Sequence, residues 1–168
     1  MKMQIDDEYK LLDNLEDEDS QKDKYLSFKI GKESYAVDIA NVTEIVGMQE
    51  ITPLPDSPDY LKGIIDLRGS IYPVVDVRLL FGMEANAYNN RTCIIILSLE
   101  ESQMGLIVDE VSDVLNIIEE NIAPPPRTHS KNKGFIKGIG KIGDKVIIII
   151  DSRKFFSESN IDSFIESM

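Results

Sequence analysis

Apolar residues along this chain recur mostly in short blocks with a period of two, separated by glycine, proline and asparagine. That rhythm predicts strands whose two faces meet different surroundings, and the punctuation predicts turns. Lys24–Ile30 and residues 34–39 read as strands around a Gly31-Lys32 turn, and 40–46 as a helical turn entering a strand. Residues 64–68 and 71–75 flank Gly69-Ser70, read as a second two-residue turn, and 77–81 reads as one helical turn closing at Gly82. After a polar linker at 86–90, strands are predicted at 92–97, 105–109, 111–117, 135–142 and 145–150. Pro53, Pro55, Pro58 and the Pro124-Pro125-Pro126 run mark loops, and 152–168 carries an amphipathic helical pattern.

The strand blocks repeat. Lys62-Gly63-Ile64 returns 75 residues later as Lys137-Gly138-Ile139, and the same shift carries Asp76 onto Asp151, Arg78 onto Arg153 and Phe81 onto Phe156. The segment from Val42 to Val46 resembles that from Val111 to Leu115, and Pro53 and Pro55 precede Pro124 and Pro126 by 71 residues. The chain therefore reads as two copies of one strand-rich unit of about 65–75 residues. A unit that small buries only about 60% of its unfolded surface. Two small barrels sharing a hydrophobic seam solve that problem, and closing each sheet removes edges that recruit foreign strands.

Charge changes the picture at the ends. The net charge of −12 opposes nucleic-acid binding, which depends on neutralising phosphates. Residues 1–23 hold nine acids and three bases, so they are expected to form a disordered acidic tail. From Arg127 to Lys145 the sign reverses, with one acid (Asp144) among six cations, and this reads as a solvated loop and hairpin rim. The longest apolar runs are far shorter than the roughly 18 residues of a membrane span, and no basic, apolar leader opens the chain. A cytoplasmic protein without membrane insertion is expected.

Little chemistry survives inspection. A lone cysteine (Cys93) and a lone histidine (His129) leave no disulfide, no Cys- or His-rich metal site and no nucleophile–base set. Gly138 to Gly143 match G-x-G-x-x-G, but a strand follows where a dinucleotide site needs a helix. Asp76, Asp109 and Asp151 each end an apolar strand. A carboxylate-dependent enzyme would draw on them, whereas Asp76 and Asp151 also suit the N-caps of helical turns. No catalytic residue, cofactor or metal is assigned. Glu44 lies among Val42, Ile45 and Val46, either as the solvent-facing residue of a half-buried strand or as a contact residue with an apolar rim. Alternation puts Asp66 and Arg68 on one strand face, either as a surface ion pair or as a docking hook.

Taken together, Tyr35 to Ile39, Val42 to Ile45, Lys62 to Gly69, Pro73 to Arg78, Val108 to Leu115 and Gly138 to Gly140 resemble, in order and spacing, the CheW-like domain family of chemotaxis coupling proteins. The resemblance covers about residues 24–157. It implies an all-β, mainly β fold of two SH3-like five-stranded β-barrel subdomains related by pseudo-two-fold symmetry, with short helical turns and a C-terminal helix. The repeats are placed at about 35–82 and 104–157, between the tail and a helical extension at 158–168. The family implies a non-catalytic scaffold that couples the cytoplasmic tips of methyl-accepting chemoreceptors to the regulatory domain of the CheA histidine kinase, recruited to membrane-associated receptor arrays. A CheW-like adaptor of a non-motility chemosensory pathway fits the same residues. Carried over residue by residue, the resemblance places Val42, Glu44, Ile45, Asp66 and Arg68 at or near partner-binding surfaces, with Gly63 and Gly69 shaping them. Many relatives have Asn at the position of Asp66. CheV-like proteins add a receiver domain, for which the twelve residues after Phe156 leave no room.

Overall fold

A computed structural model describes residues 21–125 and 134–158. Residues 1–20, residues 126–133, which include His129, and residues 159–168 lie outside the described residues, so the expected tail, the expected loop around His129 and most of the expected C-terminal helix fall there. The elements are β1 (Lys24–Ile30), β2 (Glu33–Asp38), a 3-10 turn (Ile39–Asn41), β3 (Val42–Gly47), β4 (Leu61–Leu67), β5 (Ser70–Asp76) and the helical turn α1 (Val77–Leu80). Then follow β6 (Cys93–Leu99), β7 (Ser102–Val108), β8 (Glu110–Asn116), a second 3-10 turn (Glu119–Asn121), β9 (Ile122–Ala123), β10 (Ile136–Ile142), β11 (Lys145–Ile150) and α2 (Ser152–Glu158).

The strands form two sheets, ordered β8-β1-β2-β11-β10-β9 and β3-β6-β7-β5-β4. Within each sheet, side chains from the two ends of the order meet in one buried cluster. Val46 of β3 packs with Ile65 and Leu67 of β4, and Leu115 of β8 with Ile122 of β9 and Ile142 of β10. Each sheet is therefore rolled into a barrel. The β4 barrel has the expected five strands, and in the β1 barrel the two-residue β9 makes a sixth.

Moving β1, β2 and β3 forward by 69 positions lands on β6, β7 and β8 (Lys24 to Cys93, Glu33 to Ser102, Val42 to Val111). Moving β4 and β5 forward by 75 lands on β10 and β11. Under this mapping one sheet order becomes the other, so the repeat starts at 24 and 93 rather than at 35 and 104. The β1–β2 hairpin of the first half completes the barrel of the second half, and the β6–β7 hairpin does the reverse. Irregularities repeat as well: β4–β5 shift register between Leu61 and Gly63, and β10–β11 between Ile136 and Gly138.

The exchange joins the two interiors. Leu26, Phe28 and Val37 of the β1 barrel and Ile95, Leu97 and Leu106 of the β4 barrel belong to one cluster, to which Cys93 also belongs. Phe81, just after α1, lies between Tyr35 at 5.5 Å and Phe155 at 6.0 Å, ring centroid to centroid. On the rim of this seam the Arg78 Nε donates to Asp109 Oδ1 at 2.9 Å, and Asp109 Oδ2 accepts from the Gly31 amide at 2.7 Å. Asp109 links β7 to β8, and therefore one barrel to the other.

Candidate partner-docking site

The mouth of the β4 barrel collects the residues of interest. Three successive features of β3 fix Glu44. Val42 and Ile45 are 9% and 0% exposed and are held in the shared core. A register shift between Val42 and Glu44 against β6 bends the strand between them. The Glu44 side chain, 12% exposed, then reaches the Arg68 guanidinium, where Nη2 donates to Oε1 at 2.6 Å. Arg68 itself is 70% exposed, so the pair joins a sheltered anion to a projecting cation.

Arg68 owes its position to the β4–β5 turn. Leu67 pairs with Ser70, so the turn residues are Arg68-Gly69 and not Gly69-Ser70. Both have positive φ, 52° at Arg68 and 89° at Gly69. That combination belongs to the turn type whose twist suits adjoining strands, and an L-residue at its first position is held against its own preference. The equivalent residue of the other barrel is Gly143, with φ of 57°. A glycine serves the turn there; an arginine serves it here.

Asp66 takes a different part from the one its spacing suggests. It lies outward on β4, as alternation predicts, but its Oδ1 accepts from the Gly69 amide at 2.8 Å. It closes the turn that carries Arg68, and the bridging partner of Arg68 is Glu44, 24 positions away. The side chains of Val42 and Ile45 lie in the shared core, on either side of the stretch that carries Glu44. Gly63 is likewise structural: a Cβ there would stand 2.1 Å from the Thr52 carbonyl oxygen, because Thr52 and Ile64 exchange backbone bonds at 2.9 Å. Its counterpart Gly138 faces the Ala123 carbonyl in the same manner, at 2.8 Å. This close approach accounts for the repeated Lys-Gly-Ile.

One surface residue escaped the sequence reading. Ile71, directly across from Asp66, is 49% exposed and sets an apolar side chain beside the Arg68 turn. Its alternation is that of any strand residue, so only the outward direction of Asp66, combined with the Asp66–Ile71 register, marks it.

The acids that an enzyme would use are engaged in structure. Asp76, 3% exposed, accepts from the Arg78 amide at 2.9 Å and from the Tyr88 hydroxyl at 2.8 Å. Burial, reinforced by this bond to a carboxylate, pushes the Tyr88 phenol far above its usual range. Asp151 accepts from the Arg153 amide at 3.0 Å. Burial pushes Asp109 upward, but the Arg78 guanidinium and the Gly31 amide outweigh it and hold the carboxyl below its ordinary value. Among the described residues, no three His, Cys, Asp or Glu side chains converge as a metal site requires, and no helix is long and apolar enough to cross a membrane.

Known proteins share this arrangement. The CheW-like domain pattern matches residues 24–160. The chain is 34% identical to the chemotaxis protein CheW of Klebsiella aerogenes over 139 residues, covering 82% of this chain and 84% of that protein. It is 35% identical to a probable CheW of Rhizobium etli, covering 82% and 90%. The crystal structure of the scaffolding protein TtCheW from Thermoanaerobacter tengcongensis superposes with a TM-score of 0.73 at 40% identity, covering 77% of this chain and 88% of that one. With this match in sequence and in overall fold, the chain belongs to the CheW-like domain family of chemotaxis scaffold proteins.

Proposed function

We propose that this protein couples the cytoplasmic tips of chemoreceptors to the regulatory domain of the CheA histidine kinase, and that the Arg68 turn is part of one docking surface. The observation that carries the reading is the strained placement of Arg68. A non-glycine residue in the left-handed region costs about 1–2 kcal/mol, and strain of this kind persists at working sites. The second barrel has glycine at the equivalent first position of its hairpin turn, so the fold does not demand arginine. Glu44 holds the guanidinium without covering it, which limits the entropy lost when a partner binds. An arginine beside an exposed isoleucine has the chemistry of an interface anchor, an ionic bond next to an apolar contact.

The protein acts in this reading by position alone, in the cytoplasm, recruited to receptor arrays without inserting in the membrane. The experiment is reconstitution of the full chain with a receptor cytoplasmic fragment and CheA, measuring kinase autophosphorylation. Receptor control of the kinase should require this protein. If CheA responds equally well without it, or if this protein binds neither component, the reading fails.

A further inference from the structure

The internal repeat supplies a comparison between two barrel mouths that share a backbone plan. In the β4 barrel the mouth positions carry large side chains. Ile96 is fully buried, Tyr72 packs against the same cluster, and the Arg68–Glu44 pair spans the opening. The residues at the corresponding positions of the β1 barrel are Ser27 (69 before Ile96), Ile147 (75 after Tyr72), Asp113 (69 after Glu44) and Gly143 (75 after Arg68). Two large side chains are replaced by smaller ones, and the arginine by a residue with no side chain. The Ser27 hydroxyl is drawn to β8, donating to the Asp113 carbonyl at 2.9 Å and accepting from the Asp113 amide at 3.0 Å.

The space so released is a cavity of about 450 Å³. Its floor includes the apolar side chains of Leu115, Ile142 and Ile147. Its rim carries two ammonium groups, Lys29 and Lys145, and two carboxylates, Asp113 and Asp144, all exposed. Among the described residues no ion pair engages these four groups. The volume lies within the roughly 300–1,000 Å³ of small-molecule sites, which combine an apolar lining with a few polar groups that fix orientation.

We propose that the mouth of the β1 barrel binds a small zwitterion with an apolar body, of the class of the large aliphatic or aromatic amino acids and their dipeptides. The apolar body rests on Leu115, Ile142 and Ile147. The ligand's carboxylate faces Lys29 and Lys145, and its ammonium faces Asp113 and Asp144. A purely anionic or cationic ligand would meet like charges on half of the rim, whereas a zwitterion satisfies both halves. This site lies in the other barrel from the Arg68 turn, and the proposal does not depend on coupling to a kinase.

The test is titration of the full chain with L-leucine, L-phenylalanine and the dipeptide Leu-Leu, followed by amide NMR shifts. N-acetyl-leucine amide, which is neutral, and octanoate, which is anionic, serve as controls. At least one zwitterion should give saturable shifts centred on Ser27, Lys29, Asp113 and Ile147, with both controls about tenfold weaker or more. Ser27→Ile and Ile147→Tyr, each importing the residue of the other barrel, should abolish those shifts. Their folding is checked by denaturation, and either variant suffices if the other unfolds. Lys145→Gln, on the exposed rim, should leave the fold intact and weaken binding severalfold. Saturable binding of octanoate as tight as that of the zwitterions would overturn the ligand class. No saturable shift with any zwitterion, or shifts that persist in a folded filled variant, would overturn the site.

Discussion

Arg78 and Arg153 stand at equivalent places in the two halves, each reaching from a helical turn toward the hairpin of the opposite barrel, yet they are braced unequally. Arg78 meets Asp109 with side-chain exposures of 16% and 31%, and Asp109 is also held by the Gly31 amide. Arg153 meets Glu100 at 3.4 Å with exposures of 71% and 76%. A half-buried, hydrogen-bonded pair resists loss of one partner far more than a solvated one does. Arg78→Met should therefore destabilise by about 1–3 kcal/mol, from the stranded carboxylate, and Arg153→Met by less than about 0.5 kcal/mol. Chemical denaturation of both variants checks the contrast, and equal losses would show that Arg78 does not tie the barrels together.

The same contact sets an acid limit. Asp109 has its carboxyl held below the ordinary value of 3.8, so the unfolded chain binds a proton there more readily than the folded one. Its contribution to stability is complete above that ordinary value and is lost as pH falls through the lowered one. Replacing Asp109 with Asn should flatten the acid side of a Tm–pH profile below about pH 4 relative to the parent. A variant whose acid limb matches the parent's would remove Asp109 from the account.

Gly63 and Gly138 are repeat partners with unequal latitude. At Gly63 an added Cβ meets a backbone oxygen at 2.1 Å, and φ is +145°. At Gly138 the nearest atom is an isoleucine methyl at 2.6 Å, with a backbone oxygen at 2.8 Å. A side chain yields more readily than a strand. Gly63→Ala should therefore cost about 3 kcal/mol or more, and Gly138→Ala about 1–2 kcal/mol, by equilibrium unfolding. The reverse order would mean that the Thr52 bridge is soft.

Much of this architecture is legible in the chain because period-two blocks and turn glycines are local signals. The repeat at an offset of 75 is visible because Gly63 and Gly138 answer the same steric demand, and Asp76 and Asp151 the same capping demand. The offset of 69 shows only in the likeness of Val42–Val46 to Val111–Leu115; between β1 and β6 it is hidden, because they share only burial, which many residues satisfy. Strand exchange is non-local and leaves no mark in either hairpin. At the site, Glu44 and Arg68 are separately conspicuous, but their pairing depends on rolling the sheet until β3 meets the β4–β5 turn. Asp66, two residues from Arg68, was the nearer candidate partner. The turn register decided otherwise, since Leu67 pairs with Ser70 and leaves Asp66 over the Gly69 amide.

Glu44 acts through Arg68 if the docking surface is as proposed. Glu44→Gln keeps the shape and removes the charge, so it should change folding free energy by no more than about 1 kcal/mol. Binding to the receptor or kinase fragment should weaken about three- to tenfold, because the guanidinium is no longer restrained. Combined with loss of Arg68, the substitution should add almost nothing, as expected of groups that form one unit. Titrations of single and double variants provide the cycle. Fully additive losses would mean that Glu44 contacts the partner independently.

Arg68→Gly separates the backbone of this turn from its side chain. Glycine removes the penalty of a left-handed L-residue, about 1–2 kcal/mol, and the opposite barrel holds glycine at the equivalent position with φ of 57°. Against this, glycine gives the unfolded chain more freedom, about 0.5–1 kcal/mol, and the exposed ion pair is lost, under about 1 kcal/mol. The terms nearly cancel, so the variant should unfold within about 1 kcal/mol of the parent. Binding follows a different rule, since the arginine side chain, with its guanidinium, is the only group removed from the surface. Loss of an anchor of this kind costs about 2 kcal/mol or more, roughly a thirtyfold drop in affinity. Arg68→Ala keeps the strained backbone, so it should be less stable than Arg68→Gly while losing the same affinity. Denaturation and titration against receptor and CheA fragments, on both variants, give the four quantities required. If Arg68→Gly binds both fragments as tightly as the parent does, the arginine is a tolerated turn residue and the docking surface lies elsewhere.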